Sequence, residues 1–381
     1  MSLNSKKFRT KQEFFWNETH PKGKDYIAGL DLGYSGVKGF FENGRFCFPS
    51  YVRKLDHELL NVSDKDILYK NLDTNELYIV GYSAQNMITS VETNDTDGEM
   101  YSRKRYNNPK FKILCNVALA VLTMNKKDDR PVLIQTGLPT AYVEGDSPAL
   151  RKTLSKPAHF AIKIGTDKWR SFDLSLDEKN IFIMPQPAGS LYSVLIKNDG
   201  KYASNASDIL NQNTIVLDGG FGTFDFYGII NRAISCRESI DDIGMRKILE
   251  HTSKLIADEY GESIRTASLQ KNLETGKIRC IDEDTLSTDE KPIAPLLESA
   301  SEEVFKEAMT KIRSVTNTFR DYDNVIVSGG TGEAWFDMTK EYLKNMSHLT
   351  IIPGNINDQP NPFLYANVRG YYMFLYMRNK R

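Results

Sequence analysis

The chain has 381 residues, a formal net charge of −1, and 40% hydrophobic and 26% charged residues, the profile of a globular chain of roughly one large or two to three ordinary domains. So even a charge balance predicts no preference of its own for nucleic acid or for an anionic membrane. Cys47, Cys115, Cys236 and Cys280 form no C-x-x-C pair and read as free thiols in a reducing compartment rather than a zinc site.

Residues 1–25 are polar and basic, with Lys6, Lys7, Arg9, Lys11, Lys22 and Lys24 around one apolar cluster, Phe14-Phe15-Trp16. They carry no signal-type apolar stretch, and no run in the chain reaches the roughly 18–20 apolar residues that span a bilayer, which predicts a cytoplasmic protein. The segment is expected to be a flexible or loosely docked extension, with docking of its aromatic trio on the body or on a neighbouring subunit as the alternative.

Residues 26–31 read as a buried strand entering Asp31-Leu32-Gly33-Tyr34-Ser35-Gly36-Val37-Lys38, a strand, Gly turn, strand unit. Past a tight turn at Gly44, residues 46–48 return as a third strand. Lys38 is either a point charge for a phosphate or a solvated strand lysine. Residues 51–101 are polar and mixed, with a short strand at 77–80 and an acidic, Gly-containing loop at 94–100, and predict a small inserted subdomain apart from the main sheet. Apolar Phe111, Ile113, Leu114, Val117, Ala118, Val121 and Leu122 recur at helical spacing and predict a helix over 110–124. A strand at 132–136 and a hairpin joining 160–164 to 169–174 follow. The strand at 181–186 runs into Pro187-Ala188-Gly189-Ser190, a helix start with Pro in its first turn. Gln186 sits at that junction, where its amide either orients a water in a cleft or hydrogen-bonds backbone.

The turn-rich stretch 197–207 predicts a hinge. Beyond it, residues 213–217 form a buried strand, Leu217-Asp218-Gly219-Gly220-Phe221-Gly222-Thr223 a Gly turn, and 224–230 a second strand. Such a turn lets backbone N–H groups approach a phosphate closely, and Asp218 is placed to hold the water shell of Mg²⁺. By itself the stretch also reads as an ordinary Gly-rich hairpin. Asp225 falls in the second strand and reads as structural. Helices at 245–260, 262–273 and 296–319 precede a strand at 324–327, which ends in Ser328-Gly329-Gly330-Thr331-Gly332 and opens a helix at 333–346. That helix N-terminus offers N–H donors and a positive dipole to a nucleotide. A short strand at 350–352 and a Pro-bearing loop at 358–362 lead to Tyr365-Ala366-Asn367-Val368-Arg369-Gly370 and a C-terminal helix, with Ala366 and Gly370 small enough for a close helix crossing.

The openings Ile27-Ala28-Gly29-Leu30-Asp31-Leu32-Gly33 and Ile215-Val216-Leu217-Asp218-Gly219-Gly220 repeat one pattern, their aspartates 187 residues apart, which marks an internal duplication. Five units then stand in fixed order: Asp31 to Lys38, Gln186 to Tyr192, Leu217 to Thr223, Val327 to Gly332, and Ala366 to Gly370. This series resembles the phosphate 1, connect 1, phosphate 2, adenosine and connect 2 motifs of the actin, sugar kinase and heat-shock chaperone ATPase superfamily. The compact length, Gln186-Pro187-Ala188-Gly189-Ser190-Leu191-Tyr192 and Tyr365-Ala366-Asn367-Val368-Arg369-Gly370 look most like the ParM group of bacterial actin-like plasmid segregation proteins. The resemblance covers roughly residues 26–381.

The resemblance implies an α/β actin-like ATPase fold, two duplicated ribonuclease-H-like domains with a nucleotide cleft between them. Domain I would be residues 26–205 with the C-terminal helix 366–381 and an insert at about 51–106, and domain II residues 206–365. It implies ATP or GTP with Mg²⁺, self-assembly into helical filaments, and hydrolysis that destabilises them. Plasmid DNA would be moved through a DNA-binding adaptor on a centromere-like site, with no direct nucleic-acid or membrane binding. Asp31 and Asp218 would flank the metal and phosphates, Gln186 would orient the attacking water, and Lys38 would contact β- or γ-phosphate oxygens. Gly33, Tyr34 and Ser35, and Gly219, Gly220, Phe221, Gly222 and Thr223, would grip the phosphates. Gly329, Gly330 and Thr331 would line the adenosine side, and Gln270 and Lys271 would contact base or ribose by position. Residues 1–25 have no counterpart in the pattern, and 51–106 and 352–361 depart from it. Two other readings share the superfamily: a small-molecule kinase, which needs an Asp base near Gln186, and a nucleotide-switched scaffold that does not polymerise.

Overall fold

The computed structural model describes residues 5–87, 100, 102–282 and 284–380. The acidic loop expected at 94–100 lies outside the described residues, apart from Met100. The first half contains β1 (Glu13–Trp16), β2 (Tyr26–Leu32), β3 (Gly36–Phe41), β4 (Gly44–Pro49), β5 (Val52–Leu55), β6 (Ile67–Asn71), β7 (Leu77–Val80) and α1 (Tyr82–Asn86). It continues through α2 (Pro109–Thr123), β8 (Val132–Leu138), α3 (Val143–Ser155), β9 (Ala158–Ile164), β10 (Arg170–Leu174), β11 (Ile181–Pro185), α4 (Gln186–Leu195) and α5 (Ala206–Asn211). The second half contains β12 (Thr214–Gly219), β13 (Thr223–Ile230), β14 (Ala233–Asp241), α6 (Met245–Tyr260), α7 (Thr266–Thr275), β15 (Lys277–Ile281) and β16 (Thr288–Pro292). It ends with α8 (Ala294–Val315), β17 (Asn324–Ser328), α9 (Gly329–Leu343), β18 (Thr350–Pro353) and α10 (Ala366–Asn379).

The duplication read from the two Asp-Gly openings extends to whole sheets. The first sheet runs β1-β4-β3-β2-β8-β11 and the second β14-β13-β12-β17-β18. In each, an antiparallel meander of three strands is followed by two parallel strands, so β4-β3-β2-β8-β11 matches β14-β13-β12-β17-β18. The leading strands β2 and β12 sit mid-sheet with every residue buried, which is why both read as near-continuous apolar runs. β14 escaped sequence reading. Its hairpin turns on Asn231 and Arg232, both at positive φ (52° and 63°), and the dipeptide lacks the Asn-Gly signal of such turns.

Three expectations are revised. Residues 5–25 are not a loose extension: the alternative, docking on the body, is what is found, since β1 hydrogen-bonds along the β4 edge from Glu13↔Cys47 to Trp16↔Gly44, and the trio Phe14-Phe15-Trp16 lies in that strand. The stretch 51–106 places its strands apart from the main sheet, as expected, but in a sheet that takes in later strands as well. Its strands β5, β6 and β7 form one sheet with β9 and β10, in the order β10-β9-β6-β7-β5. The predicted hairpin at 160–174 supplies two of its five strands, a long-range pairing that leaves no local mark in the sequence. The helix expected at 333–346 begins earlier, so Gly329, Gly330 and Thr331 form its first turn.

The two sheets share a middle layer made by α4 and α10. One apolar cluster joins Ile27 and Phe40 of the first sheet, Leu191 and Val194 of α4, Val368 and Tyr371 of α10, and Val216 and Ile326 of the second sheet. The helices cross backbone to backbone, since a Cβ on Gly370 would lie 1.6 Å from the carbonyl oxygen of Gly189. Arg369, wholly buried, anchors the crossing by donating to the carbonyls of Ser193 (2.7 Å) and Ile196 (2.8 Å) at the C-terminal end of α4. Burial brings its pKa down to about 10, with Asp358 opposing. A Gly370→Ala substitution must push the helices apart, and the expected loss of stability is about 3 kcal/mol. A chemical denaturation curve checks this, and wild-type stability would contradict it.

Candidate functional site

The two Gly turns face each other across a cavity of about 280 Å³ between the halves. Asp31 and Asp218, each closing a fully buried strand, line it at 3% and 4% exposure. Asp31 is held from two sides: Lys38 Nζ donates to its Oδ2 at 2.8 Å, and Gln186 Nε2 to its Oδ1 at 2.9 Å. Gln186 is placed by the β11-to-α4 junction, being the first residue of α4. Burial favours the neutral form of Lys38, but Asp31, by charge and hydrogen bond, together with Cys47 and Asp218 outweighs it and holds the lysine pKa above its usual value.

Asp218 is held by the second half and by the C-terminal helix. Asn367 Nδ2 donates to its Oδ2 at 2.6 Å, and Ser328 Oγ to its Oδ1 at 3.3 Å. Asn367 is itself oriented by Ser190 Oγ of α4, which donates to its Oδ1 at 2.6 Å. Burial raises the Asp218 pKa, the charge of Asp31 adds to that, and the hydrogen bonds of Asn367 and Ser328 oppose it. Asn367 lies within a motif that the sequence makes visible. Its contact with Asp218 is long-range and was not legible there.

The two Gly turns are pinned by their own backbone. Gly33 N–H donates to Gly36 O and Gly220 N–H to Thr223 O, which commits these two amides to the turns. The carbonyls of Gly220, Phe221 and Gly222 accept from Met245, Arg246 and Asp242, so the start of α6 grips the second turn from behind. Thr331 Oγ1 also donates to Gly220 O at 2.6 Å, tying the α9 N-terminus to that turn. Gly329, at φ 80°, can be no other residue, because a Cβ there would lie 2.3 Å from Gly219 O and 2.5 Å from Asp218 Oδ1.

The cavity brings together most of the residues picked from the sequence. Asp31, Gly33, Tyr34, Ser35, Lys38 and Gln186 line it from the first half, and Asp218, Gly220, Phe221, Thr223 and the first turn of α9 from the second. Gly219, Gln270 and Lys271 are not among its lining residues, and Gly222 faces a neighbouring cavity with Tyr34, Arg103 and Arg246. Gln270 is buried on α7, its side-chain oxygen accepting from Thr10 N–H at 3.4 Å. Residues 6–11 also line the cavity, which sequence reading missed entirely.

The carboxylates suit magnesium. Among the described residues no cluster of three or more His, Cys, Asp or Glu side chains is placed to hold a metal. Two buried hard-oxygen donors that repel each other fit an ion that takes its other ligands from water and phosphate.

Residues 29–189 match the family model for the actin like proteins N terminal domain. No curated protein matches the sequence. Among solved structures, a 15-stranded ParM filament from Clostridium botulinum matches with a TM-score of 0.69 and 23% identity over 92% of this chain and 99% of that one. The chain is actin-like in fold and resembles the ParM group. A pCBH ParM non-polymerisable quadruple mutant is also 23% identical to this actin-like chain, with a TM-score of 0.68 over 92% of this chain and 98% of that one. The archaeal actin homologue Ta0583 in complex with ADP has a TM-score of 0.58 and 18% identity over 93% of this chain and 99% of that one.

Asp225 is more than a strand residue. Its carboxylate accepts from Thr223 Oγ1 (2.8 Å), from Ser239 Oγ, and from the Thr140 N–H of the first half (3.0 Å), so it spans the cleft. Burial pushes its pKa up to about 7, the Asp218 charge adds to this, and the three donors oppose it. The folded protein therefore holds a proton that the unfolded chain releases near the ordinary aspartate value of 3.8. That contribution is fully present below pH 4 and is lost as pH rises to about 7, by up to about tenfold in the folding constant per pH unit. Asp225→Asn is expected to flatten this fall, as read by urea unfolding between pH 4 and 7. An unchanged slope would contradict the assignment.

Proposed function

We propose that this chain is a cytoplasmic actin-like nucleoside triphosphatase that binds ATP or GTP with Mg²⁺ and polymerises on it. Hydrolysis then destabilises the filament, and the filament moves plasmid DNA through a DNA-binding adaptor. The observation that carries this reading is the meeting of two duplicated Asp-Gly turns, the β11–α4 junction and the α9 N-terminus around one cavity. The filament named in the Clostridium botulinum ParM structure supports polymerisation, and the ADP complex of the archaeal homologue supports nucleotide binding. Among the described residues no helix is long and apolar enough to cross a membrane. We assign residues 26–205 with α10 to one domain and 206–365 to the other.

Hydrolysis on such a site needs positioning and charge neutralisation more than covalent chemistry. The turn residues Tyr34, Ser35 and Phe221 and the N-terminus of α9 bind the phosphates and the nucleoside side, where oriented N–H groups meet negative charge. Asp31 and Asp218 would hold Mg²⁺, which when bound neutralises phosphate charge. Lys38 adds a fixed positive charge in a dry site. Gln186 has its amide nitrogen committed to Asp31, which leaves its carbonyl oxygen to accept from the attacking water and aim it. An amide orients but does not remove the proton, so phosphate oxygens take it.

The test is Gln186→Ala measured for phosphate release and for pelleting with nucleotide. Nucleotide-dependent pelleting is expected to persist, while hydrolysis falls by about 10²-fold, the scale of losing one positioning group. Wild-type hydrolysis by filaments of the variant would overturn the role of Gln186, and failure of the wild type to pellet with either nucleotide would overturn polymerisation.

A further inference from the structure

The N-terminal segment crosses the cleft. A 3-10 turn, Ser5–Phe8, lies against α7 and against α9, whose first turn is Gly329-Gly330-Thr331. Phe8 is 2% exposed and packs in the second-half core beside Leu269 and Leu273. Ser5 Oγ donates to Leu273 O at 2.9 Å, Thr10 N–H to Gln270 Oε1, and Arg9 pairs with Glu274. Four residues on, the same segment is fixed to the other half. Gln12 Oε1 accepts from Tyr82 N–H at 2.7 Å, the Arg9 guanidinium lies 4.2 Å from the Tyr82 ring centre, and β1 pairs with β4.

We propose that residues 5–11 are a plug in cis: the turn bearing Phe8 occupies the nucleoside half of the cleft, and a bound nucleotide displaces it. This rests on the nucleotide reading of the cavity above. Three observations converge on it. The turn lies against α7 and α9 and lines the same cavity as the first turn of α9, where a base and ribose would lie if the cleft takes a nucleotide. The Thr10 backbone N–H occupies the side-chain oxygen of Gln270, a group otherwise available to a base or ribose hydroxyl. With the segment in place the cavity holds about 280 Å³, at or below the small end of pockets that bury ligands of nucleotide size, roughly 300–1,000 Å³.

The plug is also built to release. Arg9 keeps Nε and Nη2 buried with no hydrogen-bond partner among the described residues, and an unsatisfied buried donor is costly. Phe8 is held by one aromatic ring in an apolar slot, which a flat purine can replace. A site that is competent only when the plug is out binds nucleotide more weakly by the fraction of time it is open. The plug therefore sets the threshold of nucleotide at which the two halves are clasped by ligand rather than by the chain itself.

The experiment is calorimetric titration of ATP and of GTP, each with Mg²⁺, into the full-length wild type, Phe8→Ala and Arg9→Glu. Arg9→Glu sets like charge against Glu274 and leaves the Phe8 slot chemically intact, so it decides the matter should Phe8→Ala unfold. Both variants are expected to bind at least about tenfold more tightly than wild type, and Glu274→Arg added to Arg9→Glu should restore wild-type affinity. In parallel, saturating nucleotide should speed tryptic cleavage of the wild type within residues 6–11. Unchanged or weaker binding by the variants, or slowed cleavage, overturns the plug. Absence of nucleotide binding in wild type and variants alike overturns the nucleotide reading itself.

Discussion

Two aspartates of like charge, buried within one cavity, are the constraint around which this fold is arranged. Asp31 and Asp218 each close a strand with no exposed residue, and neither position would tolerate a bare carboxylate. Each is answered by specific donors: Lys38 and Gln186 for the first, Asn367 and Ser328 for the second. Those donors come from β3, α4, α10 and β17, so the electrostatics of two side chains fix the relative placement of elements from both halves. Burial raises the pKa of Asp218 and the charge of Asp31 adds to it, while Asn367, Lys38 and Ser328 oppose the rise.

The middle layer transmits that arrangement. Ser190 and Gln186 stand on one helix, α4, and Asn367 and Gly370 on the other, α10. The backbone contact of Gly189 with Gly370 sets how closely the helices approach, and this fixes where Ser190 meets Asn367 and where Asn367 meets Asp218. Packing of small residues and the polarity of the cleft are thus one mechanical unit. Asp225 adds a direct bridge between the halves through Thr140, and the N-terminal segment adds another across the cleft.

Much of this was legible in the sequence because it is local. An Asp ending an apolar run before a Gly turn, stated twice, reveals the duplicated strands and the cavity-lining residues of the two turns. Gln186 was visible from a strand that ends where a Pro-initiated helix begins. What stayed hidden is non-local or lacks turn chemistry. The pairing of β6 with β9 joins residues far apart in sequence, and the Asn231-Arg232 turn carries no glycine. Residues 5–16 look like a charged tail because their apolar partners, Leu269 and Leu273 for Phe8 and the β4 edge for β1, lie in distant segments. Composition reports that such a stretch is polar, not that a fold has reserved a slot for its one deep aromatic.

The central claim is that Asp31 and Asp218 clasp a metal-bound nucleotide between the two halves. Its most direct measurement is equilibrium binding of ATP and GTP, with Mg²⁺ and with a chelator, to the wild type and to Asp218→Ala. The account predicts that Mg²⁺ tightens wild-type binding by more than about tenfold, or about 1.4 kcal/mol, and that the variant loses this gain. Equal affinity in the two proteins with the Mg²⁺ dependence intact would contradict it.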